Sequence, residues 1–271
     1  MREVKDSDRS LPEPDTEPAR MSRRRFLAAA ALVPVVVNES RATGQTDAAA
    51  KRTVTPSLAP TIPSAVAIST KAAGFVQHGP RSSRLIALTF HGAGIPSLAH
   101  QVLDTAHRMK VPLTVFAVGM WVDANPELAR ALQADGHELA NHTFSHPSLS
   151  RLSRVGVANE IVGGADALRR ATGTIGSWFR PSGTPVATRL MLEEAAKVGY
   201  ATVVGYDVDP LDYQDPGHIA VADRTLAAVK GGSIVSLHLG HQGTADALAA
   251  IITGVRSLGL EPARVSTLLQ P

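Results

Sequence analysis

Apolar and polar positions are unevenly distributed along this chain. From residue 81 onward, short apolar runs alternate with longer segments whose apolar residues recur at helical spacing. Residues 85–90 (LIALTF), 113–118 (LTVFAV), 137–142, 177–180, 201–208 and 233–239 (SIVSLHL) read as strands. Residues 97–109, 125–136, 153–172, 188–199, 216–230 and 244–258 read as helices. Ser97 is placed to cap the first helix. Pro126 at the start of the second and Gly136 at its end follow the usual asymmetry of helix termini. Residues 265–269 read as a last strand or helical turn. Strand–helix units of about 25–35 residues predict a parallel sheet with crossover helices. About seven such units predict an α/β fold of the distorted, incomplete (β/α) barrel kind, with about seven parallel strands. A doubly wound open sheet has the same periodicity and is the rival architecture.

Before residue 81 the pattern is different. Ser22-Arg-Arg-Arg-Phe-Leu27 leads into an apolar stretch, 28–37, and then Ser40-Arg41-Ala42, a small-x-small cleavage pattern. Arginines, a short apolar segment and a small-residue cut form an export signal, and the paired arginines before Phe-Leu are of the twin-arginine type. The apolar stretch is too short for a membrane anchor, since a spanning helix needs roughly 20 apolar residues. The expected organisation is therefore a signal segment over 1–42, a Thr/Ala/Pro-rich linker over 43–80 and a folded domain over 81–271. The expected location is periplasmic or extracellular, with no stable membrane span after signal removal.

Composition narrows the chemistry. The formal net charge is +3 and no dense basic stripe occurs, so no nucleic-acid partner is expected. The chain has no cysteine, which excludes disulfides, thiolate metal sites and a cysteine nucleophile. Glycine-rich 92–94 lacks the third glycine and the acidic residue of a dinucleotide fingerprint, and reads instead as a tight turn. There is no Gly-x-Ser-x-Gly elbow.

The chemically capable residues gather at the carboxyl ends of the predicted strands. His91 follows the first, His142 and His146 the third, and Arg180 the fourth. Asp207, Asp209 and Asp212 follow the fifth, and His238 the last, with His241 close behind. In a parallel α/β fold those ends converge on one face. His142-Thr-Phe-Ser-His146 is not a helical pair, because Pro147 disfavours helix at His146. Two imidazoles offered from a strand end and its loop suit zinc, cobalt or nickel. His137-Glu138 does not make a metalloprotease motif. His137 and His142 are five apart, which puts them on opposite faces of a strand, and His137 is expected to be structural. His78, His100, His107 and His218 are read as surface or satisfied histidines.

Thr89-Phe90, His142-Thr-Phe-Ser-His146, Phe179-Arg-Pro-Ser-Gly183, Tyr206-Asp-Val-Asp-Pro-Leu-Asp-Tyr213 and Ser236-Leu-His238 occur in that order. Together they resemble the five motifs of the polysaccharide deacetylases, carbohydrate esterase family 4. The resemblance covers about residues 84–270. It implies a distorted (β/α) barrel that uses a divalent metal, commonly zinc, to remove acetyl groups from N-acetylated sugars of chitin, peptidoglycan and related cell-wall glycans. Position by position, it makes His142 and His146 metal ligands and Arg180 the residue that orients the catalytic base. It places Asp209 and Asp212 in the motif whose acid tunes a histidine. His238 becomes that histidine, the proton donor to the leaving amine. Trp178, Tyr213 and Leu237 would shape the acetyl pocket and sugar face. The implied partner is an acetylated carbohydrate or cell-wall glycan.

The chain departs from the family in the first motif. Thr-Phe-Asp-Asp-Gly is expected, and Thr-Phe-His-Gly-Ala is present. The base becomes His91 and the third ligand becomes Gly92. Three readings follow. His91 can complete a three-histidine site with an open position, with Asp207 or Asp209 as a further source of a carboxylate or base. His91 can act as base beside a metal held by two histidines, with Arg180 keeping the ring neutral. Or the cleft binds sugar without cutting it. In the first two, His91 faces His142 and His146. The 11 aromatic residues leave little material for a long sugar platform and point to a short substrate or a small acyl group.

Overall fold

The computed structural model describes residues 72–270. The expected signal segment, and the expected linker up to residue 71, lie outside the described residues. No helix among the described residues is long and apolar enough to cross a membrane.

The chain runs β1 (Gly74–Val76), β2 (Leu85–Gly92), α1 (Pro96–Met109), β3 (Thr114–Ala117), α2 (Gly119–Ala124), α3 (Pro126–Ala134), β4 (Glu138–Asn141) and α4 (Arg154–Thr172). It continues through α5 (Arg189–Val198), β5 (Thr202–Val204), α6 (His218–Ala228), β6 (Ile234–His238), α7 (Gln242–Ser257), β7 (Glu261–Ala263) and α8 (Val265–Leu268). Every strand pair is parallel. The main sheet has the order β4-β3-β2-β6, with β7 beside the start of β2, and β1 pairs β5 separately. Single parallel bridges at Phe179, to Asn141 and Val203, and at Val208, to Val235, join the two sheets. The result is the expected α/β arrangement, an incomplete barrel in which isolated bridges rather than full strands link the two sheets.

The alternation in β2 sets the layers. Ile86, Leu88 and Phe90 are fully buried against Val102 and Leu103 of α1 and Leu248, Ile251 and Ile252 of α7. Burying each such side chain contributes about 1.5–3 kcal/mol. Ala87 faces the barrel interior with Phe116, Ala140, Val204 and Ile234. Thr89 and His91 share that inward parity. Helix ends follow their sequence signals. Ser153 caps α4 by accepting from Gly156 N–H, and Gly173 and Gly199 close α4 and α5 at φ 80° and 111°.

Several expectations change. The strand expected at 85–90 runs on through His91 and Gly92, both paired with β3, so His91 lies within the strand rather than after it. The strand at 74–76 falls inside the expected linker, because Gly74 to Val76 pair residue for residue with β5. The helix cap is Ile95 rather than Ser97. The stretch 177–180 is reduced to a bridge at Phe179. The stretch 201–208 is a strand only over Thr202–Val204. Past the bridge, Pro181 has no N–H to donate, and the carbonyls of Val204 and Gly205 accept from the Arg180 guanidinium at 3.1 and 3.0 Å.

Candidate active site

Two strands bring the first pair of site residues together. The β2–β6 register sets His91 directly beside His238, with ring centroids 4.3 Å apart. Both point into the mouth of the barrel, where their strands end.

The second pair comes from the loop after β4. Thr143 and His146 adopt left-handed φ values of 68° and 61°, costly for non-glycine residues and most of all for a β-branched threonine. The surroundings hold this turn in place. Asn141 Oδ1 accepts from Thr143 N–H at 2.9 Å, while Asn141 Nδ2 donates to the carbonyl of Ile161. Glu160 of α4 accepts from the amides of Phe144 and Ser145 and from the Ser145 hydroxyl, at 2.9, 2.8 and 2.6 Å. The strained loop thereby turns His146 back over His142, Nε2 to Nε2 at 3.1 Å.

His91, His142 and His146 converge. Each offers one ring nitrogen, and these nitrogens lie within 4.8 Å of one another. The ring of His91 is 4.2 Å from that of His142 and 6.3 Å from that of His146. His142 Nδ1 donates to the Arg180 carbonyl at 2.9 Å, which fixes the tautomer and leaves Nε2 bare. His91 Nε2 lies 3.2 Å from Ser236 Oγ, and its Nδ1 is buried with no hydrogen-bond partner among the described residues. Burial is the main cause that pushes His91 and His142 well below the ordinary histidine value, and it lowers His146 less strongly. Neighbouring histidines add to the effect, and at His91 Arg180 adds a smaller one. Neutral rings, one pinned from behind and one with an orphaned buried nitrogen, fit a divalent metal of the nitrogen-preferring kind.

Beside this cluster stands a histidine–aspartate pair. His238 Nδ1 meets Asp212 Oδ1 at 2.7 Å, and Asp212 Oδ2 accepts from His238 N–H at 2.8 Å and Thr244 Oγ1 at 2.5 Å. Asp212 is buried and held at both oxygens, so it fixes the ring and leaves His238 Nε2 for the cleft. Asp209 makes no hydrogen bond to His238 among the described residues. It lines the cleft, accepts from Leu211 N–H at 2.9 Å, and is raised above the usual carboxylate value chiefly by burial.

Asp207 is structural. Arg81, Ser233 and the Ile234 amide occupy its oxygens at 2.9, 3.0 and 2.7 Å, which removes it as a source of the missing carboxylate. Arg180 is fully buried, lies 3.8 Å over the Phe116 ring and is pushed down to about 9 by burial. Among the described residues it has no carboxylate partner and donates to Thr89 Oγ1 and two carbonyls instead. Its backbone carbonyl, rather than its guanidinium, touches the histidine cluster.

A cleft of about 460 Å³ opens over the site. It is lined by His91, His146, Asp209, Tyr213 and His238, and by residues of the 181–185 loop and Tyr206. Of the three residues expected to shape the acetyl pocket and sugar face, Tyr213 is in this lining. Trp178 and Leu237 are not. Leu237 is buried in the layer between sheet and helices, because it alternates with the inward-facing Ser236 and His238. Trp178 bonds Asn141 N–H through its carbonyl, but its side chain turns toward the opposite end of the barrel, where its Nε1 donates to Glu138 at the start of β4. Ser236, Glu160 and Tyr206 escaped the sequence reading as site residues. Ser236 carried a readable signal, since it shares the inward parity of His238. Glu160 carried none, because its role depends on how α4 docks. His137 is structural as expected, its Nδ1 accepting from Leu113 N–H.

Comparison with known proteins adds the following. Residues 78–203 match the polysaccharide deacetylase family. The chitooligosaccharide deacetylase of Bradyrhizobium sp. is 36% identical over 159 residues, which span 59% of this chain and 72% of that protein. The peptidoglycan-N-acetylglucosamine deacetylase of Bacillus cereus is 31% identical over 201 residues, or 70% of this chain and 91% of that protein. A solved peptidoglycan N-acetylglucosamine deacetylase superposes with a TM-score of 0.68 at 25% identity, covering 73% of this chain and 94% of the other. A carbohydrate esterase family 4 pseudoenzyme from Bacillus anthracis shares the fold, with a TM-score of 0.69 at 22% identity and coverage of 74% and 70%.

Proposed function

Because this chain belongs to the polysaccharide deacetylase family of hydrolases, we propose that it is an exported, zinc-dependent enzyme that removes acetyl groups from a chitooligosaccharide or peptidoglycan-type glycan. The observation that carries this reading is the convergence of His91, His142 and His146 next to the intact His238–Asp212 pair. The three histidines would hold the metal, with His91 taking the place of the family's aspartate ligand. A bound zinc would supply Lewis acidity toward the acetyl carbonyl and toward water. His238, oriented by Asp212, gives its Nε2 proton to the departing nitrogen. Tyr213 and the 181–185 loop frame the acetyl group and a short stretch of sugar, in keeping with the small cleft. Export is supported by the arginine-led signal pattern of residues 22–42.

A second reading has a specific observation behind it. Both first-motif aspartates are absent, and a pseudoenzyme is among the proteins of the same fold. In that reading the cleft binds glycan without hydrolysing it. One experiment separates the two: zinc per chain after loading and dialysis, with acetate release from an N-acetylglucosamine oligomer, for wild type, His142→Ala and His91→Ala. About one zinc in wild type, lost in both variants together with acetate release, is the expected result. Zinc lost only in His142→Ala removes His91 from the ligand set. No zinc and no acetate from wild type leaves the binding protein.

A further inference from the structure

Hydrolysis here needs a group to take a proton from the attacking water, and the residue that does so in the family's first motif is missing. We propose that Asp209 is that general base, acting from the fourth motif in place of the lost carboxylate. The inference rests on the hydrolase reading above.

The candidates can be taken in turn. His91 is a poor base: it is buried, flanked by His142 and His238 at 4.2 and 4.3 Å, and its Nε2 faces Ser236. Gly92 has nothing to offer. Asp207 is bound by Arg81, Ser233 and Ile234. Asp212 is bound at both oxygens by His238 and Thr244. Asp215 is spent on His241 and does not line the cleft. Among the described residues that line the cleft, Asp209 is the one carboxylate, and it shares that wall with His91, His146 and His238.

Its placement suits the role. Oδ1 is anchored by the Leu211 amide, an Asx-type turn, and Oδ2 makes no hydrogen bond among the described residues. Pro210 restricts the Asp209 backbone to extended conformations, so the carboxylate is held on a stiff support. Burial is the main cause that raises Asp209 above the usual carboxylate value, the direction a base requires.

The step balances. Asp209 Oδ2 takes one proton from water as the water oxygen bonds to the acetyl carbon. The carbon–nitrogen bond then breaks as His238 gives a proton to nitrogen, leaving acetic acid and a free amine. Solvent afterwards takes the proton from Asp209 and returns one to His238.

Asp209→Asn tests this cleanly, because asparagine keeps the oxygen that caps the turn. Zinc per chain, oligomer affinity, and the rate of acetate release against pH are measured for wild type, Asp209→Asn and Asp209→Glu. Expected is a fall in kcat of about 100-fold or more for Asp209→Asn, with zinc content and oligomer affinity unchanged. The acidic limb of the rate profile is lost, and Asp209→Glu recovers part of the rate. Wild-type turnover by Asp209→Asn overturns the assignment and leaves the hydrolase reading standing. Loss of zinc or of oligomer binding in Asp209→Asn also overturns it, making Asp209 a ligand or a sugar contact. A wild type that holds zinc but releases no acetate overturns the hydrolase reading and this assignment together.

Discussion

The two halves of the cleft differ in how they are built. On one side His238 and Asp212 form a closed unit in which both carboxylate oxygens are satisfied and one imidazole nitrogen is left facing the cleft. On the other side His91 stands where an aspartate is expected. Its Nδ1 is orphaned, and its neighbour Gly92 has no side chain. The half proposed to donate the proton thus has both carboxylate oxygens and one ring nitrogen satisfied, while the half proposed to bind metal presents an imidazole where the family pattern has a carboxylate. Behind this half, buried Arg180 lies in the core and, among the described residues, donates only to neutral acceptors. The difference teaches that loss of a family motif need not empty a site. On the proposed reading, nitrogen donors take over the ligand positions and the His238–Asp212 pair keeps the acid role.

The largest expected effect lies on the intact side. His238→Ala is expected to lower acetate release by about 10²–10⁴-fold, the usual contribution of a positioned acid, while zinc per chain stays at the wild-type value. Steady-state rates and metal analysis on the same sample check both halves at once. Zinc lost together with activity would mean that the two sides are one unit, and the comparison would fail.

The next effect lies on the rebuilt side. A Cβ at Gly92 would stand 2.9 Å from Ala117 Cα and 2.9 Å from Val115 Cγ1. Because β2 continues through Gly92, that Cβ also points toward the helix layer rather than toward His142 and His146. Gly92→Asp should therefore not restore a metal ligand. It should destabilise the fold by about 1–3 kcal/mol through overpacking, and by more if the carboxylate stays charged. Urea unfolding of wild type and variant gives the number. A stable Gly92→Asp protein with tighter zinc binding would show that the end of β2 can rearrange to the family form.

This position also marks the limit of what the sequence conveys. The alternation of strands and helices, and the gathering of His91, His142, His146, Asp212 and His238 at strand ends, were legible because periodicity and parallel topology dictate them. The length of β2 was not legible. Two further residues of pairing with β3 decide that His91 points inward and position 92 outward, and pairing partners are not written in the strand itself. Leu237 could have been placed correctly from parity alone, since it alternates with His238. Trp178 could not. It shares parity with Arg180 and its backbone bonds Asn141 at the carboxyl end of β4; only the turn of its side chain toward Glu138, at the start of β4, takes the ring away from the site. The short strand Gly74–Val76 lay within a Thr/Ala/Pro-rich stretch, and its pairing with β5 is a tertiary event.

The smallest expected effect concerns pH and the zinc-free protein. His91, His142 and His146 are all held below the ordinary value of 6.5, mainly by burial. In the unfolded chain they regain that value, so below about pH 6.5 the unfolded state binds protons that the folded site refuses. Stability from these groups is thus fully present above pH 6.5 and declines as pH falls toward their folded values. Each group that stays neutral in the fold steepens the decline by up to about 1.4 kcal/mol per pH unit. His91→Ala removes one such group and relieves its neighbours, so its zinc-free stability should fall less steeply between pH 6.5 and 5. Denaturant unfolding of both proteins at several pH values measures the two slopes. Equal slopes would mean that His91 already takes up a proton in the folded protein, and a charged ring there could neither bind a metal nor pack between His142 and His238.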